Sequence, residues 1–276
     1  MGDIRLTGRL GSGDREGVYL GQAPSGRPVT VRVLPAPAGR PAAEAVESPW
    51  TARVLAVGAE DGVHHVVSEH VPGPTLAEAV ERDGPRTGAA LHRLAAATIA
   101  GLADLHRAGL VYRDFRPEAV VLGPDGPRIV DVAAGGLVPV MDPAYKAPEQ
   151  LTGGEATSAT DVFAWAATMA FASSGRPPFG RVGDPAVVTR VLREQADLGA
   201  LAGRLHEIAL RCLAKDPRDR PSAADVLRWL RQSEQPMPPA LPRRPSAHRQ
   251  PAPMTPMTPV ASPVAAPVPP PAAPRP

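Results

Sequence analysis

A chain of 276 residues is long enough for one large domain or two small ones, and its 30 Lys and Arg nearly balance its 28 Asp and Glu. Lys occurs only at Lys146 and Lys215 and Asn occurs nowhere, which excludes any mechanism needing an asparagine, or a lysine before residue 146. The single Cys212 excludes an intramolecular disulfide and a cysteine zinc cage.

Taken in chain order, Met1 leads into Gly2, Asp3 and Ile4 without an apolar h-region, so no secretory leader is expected. Four short β-like runs follow, Gly17–Gly21, Pro28–Leu34, Arg53–Val57 and His64–Ser68, punctuated by Gly, Pro and Asp as in an antiparallel sheet. From residue 75 the texture turns helical. Thr87 to Arg107 places Leu91, Leu94, Ala95, Thr98, Ile99, Leu102 and Leu105 at helical spacing, with Gly109 as the stop. Val162 to Ser174 is the longest uncharged apolar stretch, well short of the about 20 residues that span a bilayer. Ser222 to Asp225 reads as a cap before Val226, Leu227, Trp229 and Leu230. Residues 236–276 hold 16 of the 36 prolines, with Arg243, Arg244, Arg249, Arg275 and no acid. That segment has no period with which to bury a core and is expected to be a disordered, basic, polyproline-like tail.

The expected fold class is therefore α+β and bilobal: a β-rich lobe over residues 1–70, a connection at 69–74, and a helical lobe over 75–233. The tail occupies 234–276. The chain is expected to be soluble and cytoplasmic.

The motifs come in a fixed order. Leu10 to Gly21 carries Gly11 and Gly13 ahead of Val18. By itself this is a weak signal, because a Gly-Ser-Gly turn also simply joins two strands. There follow Val29-Thr-Val-Arg-Val-Leu34, Val66-Val-Ser-Glu-His-Val-Pro-Gly73 and Tyr112-Arg-Asp-Phe-Arg-Pro-Glu-Ala119. Then come Arg128-Ile-Val-Asp-Val-Ala133, Ala147-Pro-Glu149, Asp161-Val-Phe-Ala-Trp165 and Cys212-Leu-Ala-Lys-Asp-Pro-Arg-Asp-Arg-Pro221. Together these resemble the protein kinase family, specifically bacterial Ser/Thr kinases of eukaryotic type, over roughly residues 5–232.

The resemblance implies ATP and Mg²⁺ as cofactors and assigns roles position by position. Asp114 would receive the substrate hydroxyl's proton, and Arg116 stands where a lysine usually meets the γ-phosphate. Asp131 would hold one Mg²⁺. Gly11, Gly13, Val18 and Arg32 would line the phosphates, and the backbone of Glu69 and Val71 would meet adenine. Asp161 would hold the catalytic-loop backbone, and Glu149 would pair with Arg220.

Departures cluster on the nucleotide chemistry. Glu16 sits where a third glycine is usual, either aiming a carboxylate at phosphate or turning into solvent. Arg32 replaces the strand lysine, and a planar guanidinium is not interchangeable with an ammonium. The lysine's glutamate partner has only Glu44 or Glu47 as candidates, both better read as solvated. Ala119 replaces the asparagine that ligates a second Mg²⁺, and a methyl group offers no oxygen. Ala133 replaces a glycine with more backbone freedom. Between Asp131 and Glu149 there is no Ser or Thr to phosphorylate.

ATP and Mg²⁺ binding is therefore expected to be weak at most. A pseudokinase-like scaffold is the leading expectation, with a weak Ser/Thr kinase using Arg32 and one Mg²⁺ as its rival. A third reading is an adaptor whose tail, at Thr255, Thr258 and Ser262, each followed by Pro, recruits a phosphopeptide-binding or polyproline-binding partner. Protein partners or substrates are expected, and nucleic acid is not.

Overall fold

The computed structural model describes residues 4–10, 17–34, 46–132, 143–181 and 183–232. The chain divides into two units, 1–241 and 242–276, and the first carries all the described structure. Gly11, Gly13, Glu16, Glu44, Ala133 and the tail lie outside the described residues.

The first lobe is an antiparallel five-stranded sheet: β1 (Arg5–Arg9), β2 (Val18–Gln22), β3 (Pro28–Leu34), β4 (Val54–Glu60) and β5 (Val63–Glu69), ordered β1-β2-β3-β5-β4. Period-two alternation sorts β3 into two faces. Val29 and Val31 pack with Val67, Ile4, Tyr19 and Ala23 on one side. Thr30 and Arg32 face the other way, and the register fixes their neighbours: Val18 and Val66 flank Arg32, while Leu20 and Ser68 flank Thr30. The four foreseen strands are present. β1 was not foreseen, because Arg-Leu-Thr-Gly-Arg is exposed throughout and has no alternation to read. It is an edge strand made by backbone pairing, bulged between Leu6 and Gly8. β4 and β5 are joined by Asp61-Gly62, both at positive φ (50° and 79°), the geometry of a two-residue hairpin turn.

The second lobe is helical: α1 (Leu76–Asp83), α2 (Gly88–Arg107), α3 (Pro148–Leu151), α4 (Ser158–Ser174), α5 (Val187–Arg193), α6 (Gly203–Cys212) and α7 (Ala223–Arg231). A short hairpin of β6 (Val120–Gly123) and β7 (Gly126–Ile129) sits between α2 and α3. The capping box expected at Ser222 is formed with Asp225, and a second joins Thr75 to Glu78. The apolar stretch from Val162 becomes α4, buried on nearly every face, which is the pattern of a central core helix. Its Trp165 is fully buried, and the indole N–H donates to Thr98 Oγ1 at 3.0 Å. Among the described residues no helix is long and apolar enough to cross a membrane.

The lobes share packing as well as chain. Leu34, Val54 and Val66 of the sheet contact Leu110 and Val132 of the helical lobe. Ile129 N donates to Trp50 O at 2.8 Å, and Ala52 N donates to Ile129 O at 2.7 Å. Leaving the sheet, the chain is stitched to β6 by the bond from Leu122 N to Pro74 O. Gly73 makes that turn possible: its φ is +134°, and a Cβ there would lie 2.4 Å from Leu122 O. Gly73→Ala is expected to cost about 2 kcal/mol or more, read as a lower urea midpoint with an unchanged m-value.

Candidate active site

The catalytic loop is hung from one buried carboxylate. Asp161, in the first turn of α4, is fully buried and accepts from Tyr112 N at 2.8 Å and Arg113 N at 2.7 Å. His106 Nε2 lies 2.8 Å from the same group. These bonds hold Arg113 at φ +70°, a left-handed conformation that costs an ordinary residue about 1–2 kcal/mol. Tyr112 occupies the usual histidine position and donates its hydroxyl to Val130 O at 2.7 Å. Burial, then the nearby carboxylates of Asp131 and Asp114, push its phenol well above the ordinary range, so it stays a neutral donor. The loop is thereby fastened to the segment that carries Asp131.

Asp114 emerges from this loop into the cleft with both oxygens engaged. Lys146 Nζ donates to Oδ1 at 2.5 Å, and Arg116 Nε donates to Oδ2 at 3.2 Å. Arg116 also reaches Glu118 at 3.4 Å. Lys146 is the partner that motif reading missed. The available signal was compositional: it is one of two lysines in a chain whose other 28 basic residues are arginine.

The most consequential contact joins Arg32 to Asp131. Nε donates to Oδ1 at 2.8 Å and Nη2 donates to Oδ2, a bidentate pair. Their side chains are only 11% and 19% exposed. Asp131 sits at φ +60°. Of the two candidate glutamates, Glu47 is exposed and not helical, and Glu44 lies outside the described residues; the carboxylate of Asp131, from the opposite lobe, faces this cation.

These residues do not fit a divalent ion as they stand. Mg²⁺ requires oxygen ligands at near-octahedral geometry. Both oxygens of Asp131 already accept from a guanidinium, and the buried Ala119 supplies only a methyl group.

Val18, Leu20, Thr30 and Ser68 share the sheet face with Arg32. Thr30 Oγ1 lies 3.2 Å from His70 Nδ1, tying β3 to the connection. Desolvation lowers the pKa of His70 below its ordinary value. Glu69 accepts from Arg53 N at 3.0 Å and from Arg128 Nη2, and its own N–H donates to Arg53 O at 2.9 Å. Val71 is buried with Ala52 and Val121. The structure thus brings Val18, Arg32, Asp131, Asp114 and Arg116 to one cleft, and Glu69 and Val71 to its back edge.

Behind the cleft, Arg220 donates to both oxygens of Glu149 at 2.7 and 2.8 Å. A two-lobed chain with a β3 cation, a catalytic loop hung from a buried carboxylate and this buried pair behind them has the organisation of a protein kinase. Residues 43–229 match the family model described as protein kinase domain, and the chain belongs to that family. It is 34% identical over 254 residues to Probable serine/threonine-protein kinase PkwA of Thermomonospora curvata, a match covering 83% of this chain and 34% of that one. It is 33% identical over 249 residues to serine/threonine-protein kinase AfsK of Streptomyces coelicolor, covering 82% and 31%. The match to serine/threonine-protein kinase PknL of Mycobacterium tuberculosis is 30% over 182 residues, covering 58% and 45%. The chain spans about a third of the length of the first two relatives.

Proposed function

We propose that residues 1–233 act as a pseudokinase scaffold that binds protein partners, with phosphotransfer weak or absent. The observation that carries this reading is the bidentate Arg32–Asp131 pair. The chain supplies its own cation to the carboxylate that the family uses for metal. A Mg²⁺ ion entering with ATP has to displace a largely desolvated guanidinium, and finds no asparagine to complete its ligands. In this reading the domain works in the cytoplasm, and the Pro-rich segment from residue 234 onward offers Thr255, Thr258 and Ser262 to a phosphopeptide-binding or polyproline-binding protein.

The rival reading is a slow Ser/Thr protein kinase, the activity that the relatives' names carry. It is favoured by the intact suspension of Asp114 from Asp161. A thermal-shift titration separates the two, since a ligand that binds only the folded state raises apparent stability by about 2.7 kcal/mol at a hundred times its Kd. The expected result is no Mg²⁺-dependent gain with ATP for the wild type, and a gain in Arg32→Lys, whose single-point ammonium cannot occupy both oxygens of Asp131 as the guanidinium fork does. Phosphorylation of a generic protein substrate by the wild type, abolished in Asp114→Ala, would sink the scaffold reading.

A further inference from the structure

We propose that Lys146 is a positioning residue: its ammonium fastens the substrate-side loop to the catalytic loop and fixes Asp114, so that this face of the domain is set without any phosphate. The inference rests on loop geometry and holds whichever reading of phosphotransfer is correct.

The backbone at Lys146 is anchored before its side chain is considered. Its N–H donates to Pro143 O at 3.2 Å. The preceding turn buries Ala144 and Tyr145, with the Tyr145 ring edge-on to Phe171 at 6.3 Å. From this fixed point Nζ reaches Asp114 Oδ1 at 2.5 Å and Arg113 O at 3.4 Å. Gln150, in α3, repeats the contact: its Nε2 donates to Arg113 O at 2.9 Å while its Oε1 accepts from Ala147 N at 3.0 Å. Residues 146–150 thus grip the same carbonyl twice and the neighbouring carboxylate once.

The gripped residue is the one that needs it. Arg113 is held at positive φ, with Asp161 on its N–H and Lys146 and Gln150 on its carbonyl. The site also accounts for a lysine in an arginine-rich chain. The Lys146 side chain is only 6% exposed, and an ammonium is a compact point charge where a guanidinium is a wide planar fork. A charged donor on a carboxylate makes a bond roughly twice as strong as a neutral pair.

Loops of this kind are commonly ordered by a phosphate that pairs with arginine. Here no Ser or Thr lies between Asp131 and Glu149, and Tyr145 is buried. A built-in cation on Asp114 supplies the same tie permanently.

The test is hydrogen exchange on the full chain, comparing wild type, Lys146→Met, Asp114→Asn and the double variant, each with and without phosphatase. Phosphatase is expected to change nothing in the wild type. Lys146→Met is expected to speed exchange about tenfold or more across 144–152 and 112–116, leaving α6 and α7 unchanged. The double variant is expected to exchange no faster than Lys146→Met, because the two side chains act through one contact. Unchanged protection in Lys146→Met overturns the proposal. So does a rise spread evenly over the helical lobe, an additive double variant, or loosening by phosphatase. If Lys146→Met does not fold, Lys146→Gln is read by the same criteria.

Discussion

Asp161→Ala is expected to remove about 2–5 kcal/mol of stability, because it leaves two loop N–H donors, each costing about 1–3 kcal/mol when unsatisfied, without their acceptor. The carboxylate is fully buried and satisfies two loop N–H groups at 2.7 and 2.8 Å. Truncation leaves the buried amide of Tyr112 and the partly buried amide of Arg113 without this acceptor, and nothing else holds Arg113 at φ +70° from the N–H side. His106, 2.8 Å away, loses its partner too. Asp161→Asn keeps one oxygen and turns an NH₂ toward the second donor, so its cost is expected to be smaller, about 1–3 kcal/mol. Urea denaturation gives the ranking wild type, Asn, Ala. Equal midpoints for all three would mean that the loop is held by something other than this carboxylate.

Glu149→Ala is expected to cost a similar amount, about 3–5 kcal/mol, because it strands a guanidinium that is completely buried. Arg220 cannot turn to solvent: Nε donates to Ala214 O at 2.7 Å, Nη1 to Ala159 O at 3.0 Å and Nη2 to Lys215 O at 3.0 Å. Its charge also lies 4.8 Å from the Phe163 ring. The pair has a pH signature. Burial works to raise the pKa of Glu149, but the hydrogen bond and charge of Arg220 outweigh it, and the value falls below the ordinary 4.5. A carboxylate whose folded pKa lies below its unfolded one contributes stability that is fully present above the unfolded value and fades as pH falls through the folded one. The stability difference between wild type and Glu149→Gln is therefore expected to be constant near neutrality and to shrink on acidification below about pH 4.5. A difference that is flat to pH 3 would rule out this pair as the source.

Much of the architecture is legible because it is local. Short β-like runs bounded by Gly, Pro and Asp marked β3 and β5, helical spacing placed α2 from Gly88 to Arg107, and Ser222 to Asp225 announced α7. Position within motifs placed Asp114, Asp131 and Arg32 at one cleft, and the family found by comparison is the one the motifs imply. What the motifs did not convey is which charge meets which. Arg32 was expected opposite phosphate and Asp131 opposite metal; the fold sets them against each other across 99 residues of sequence. Lys146 reaches Asp114 across 32 residues, and Arg128 reaches Glu69 across 59. No periodicity encodes such pairings, since they depend on how distant segments and the two lobes pack together and not on any local repeat. β1 escaped for a different reason: an exposed edge strand is specified by its neighbour's backbone and leaves no hydrophobic trace.

The Arg32–Asp131 pair also sets an order of events during synthesis. At the about 5–20 residues per second of a working ribosome, Asp131 emerges roughly 5 to 20 s after Arg32. A hairpin forms in microseconds, so the first lobe has ample time to assemble with Arg32 still lacking this carboxylate on its cleft face. The nascent sheet therefore passes through an interval in which the apolar surface of Leu34, Val54 and Val66 is not yet covered by Leu110 and Val132. Arg32, a charged side chain opposite Val66 on that face, discourages another nascent sheet from stacking there until the chain's own second lobe arrives to cover it.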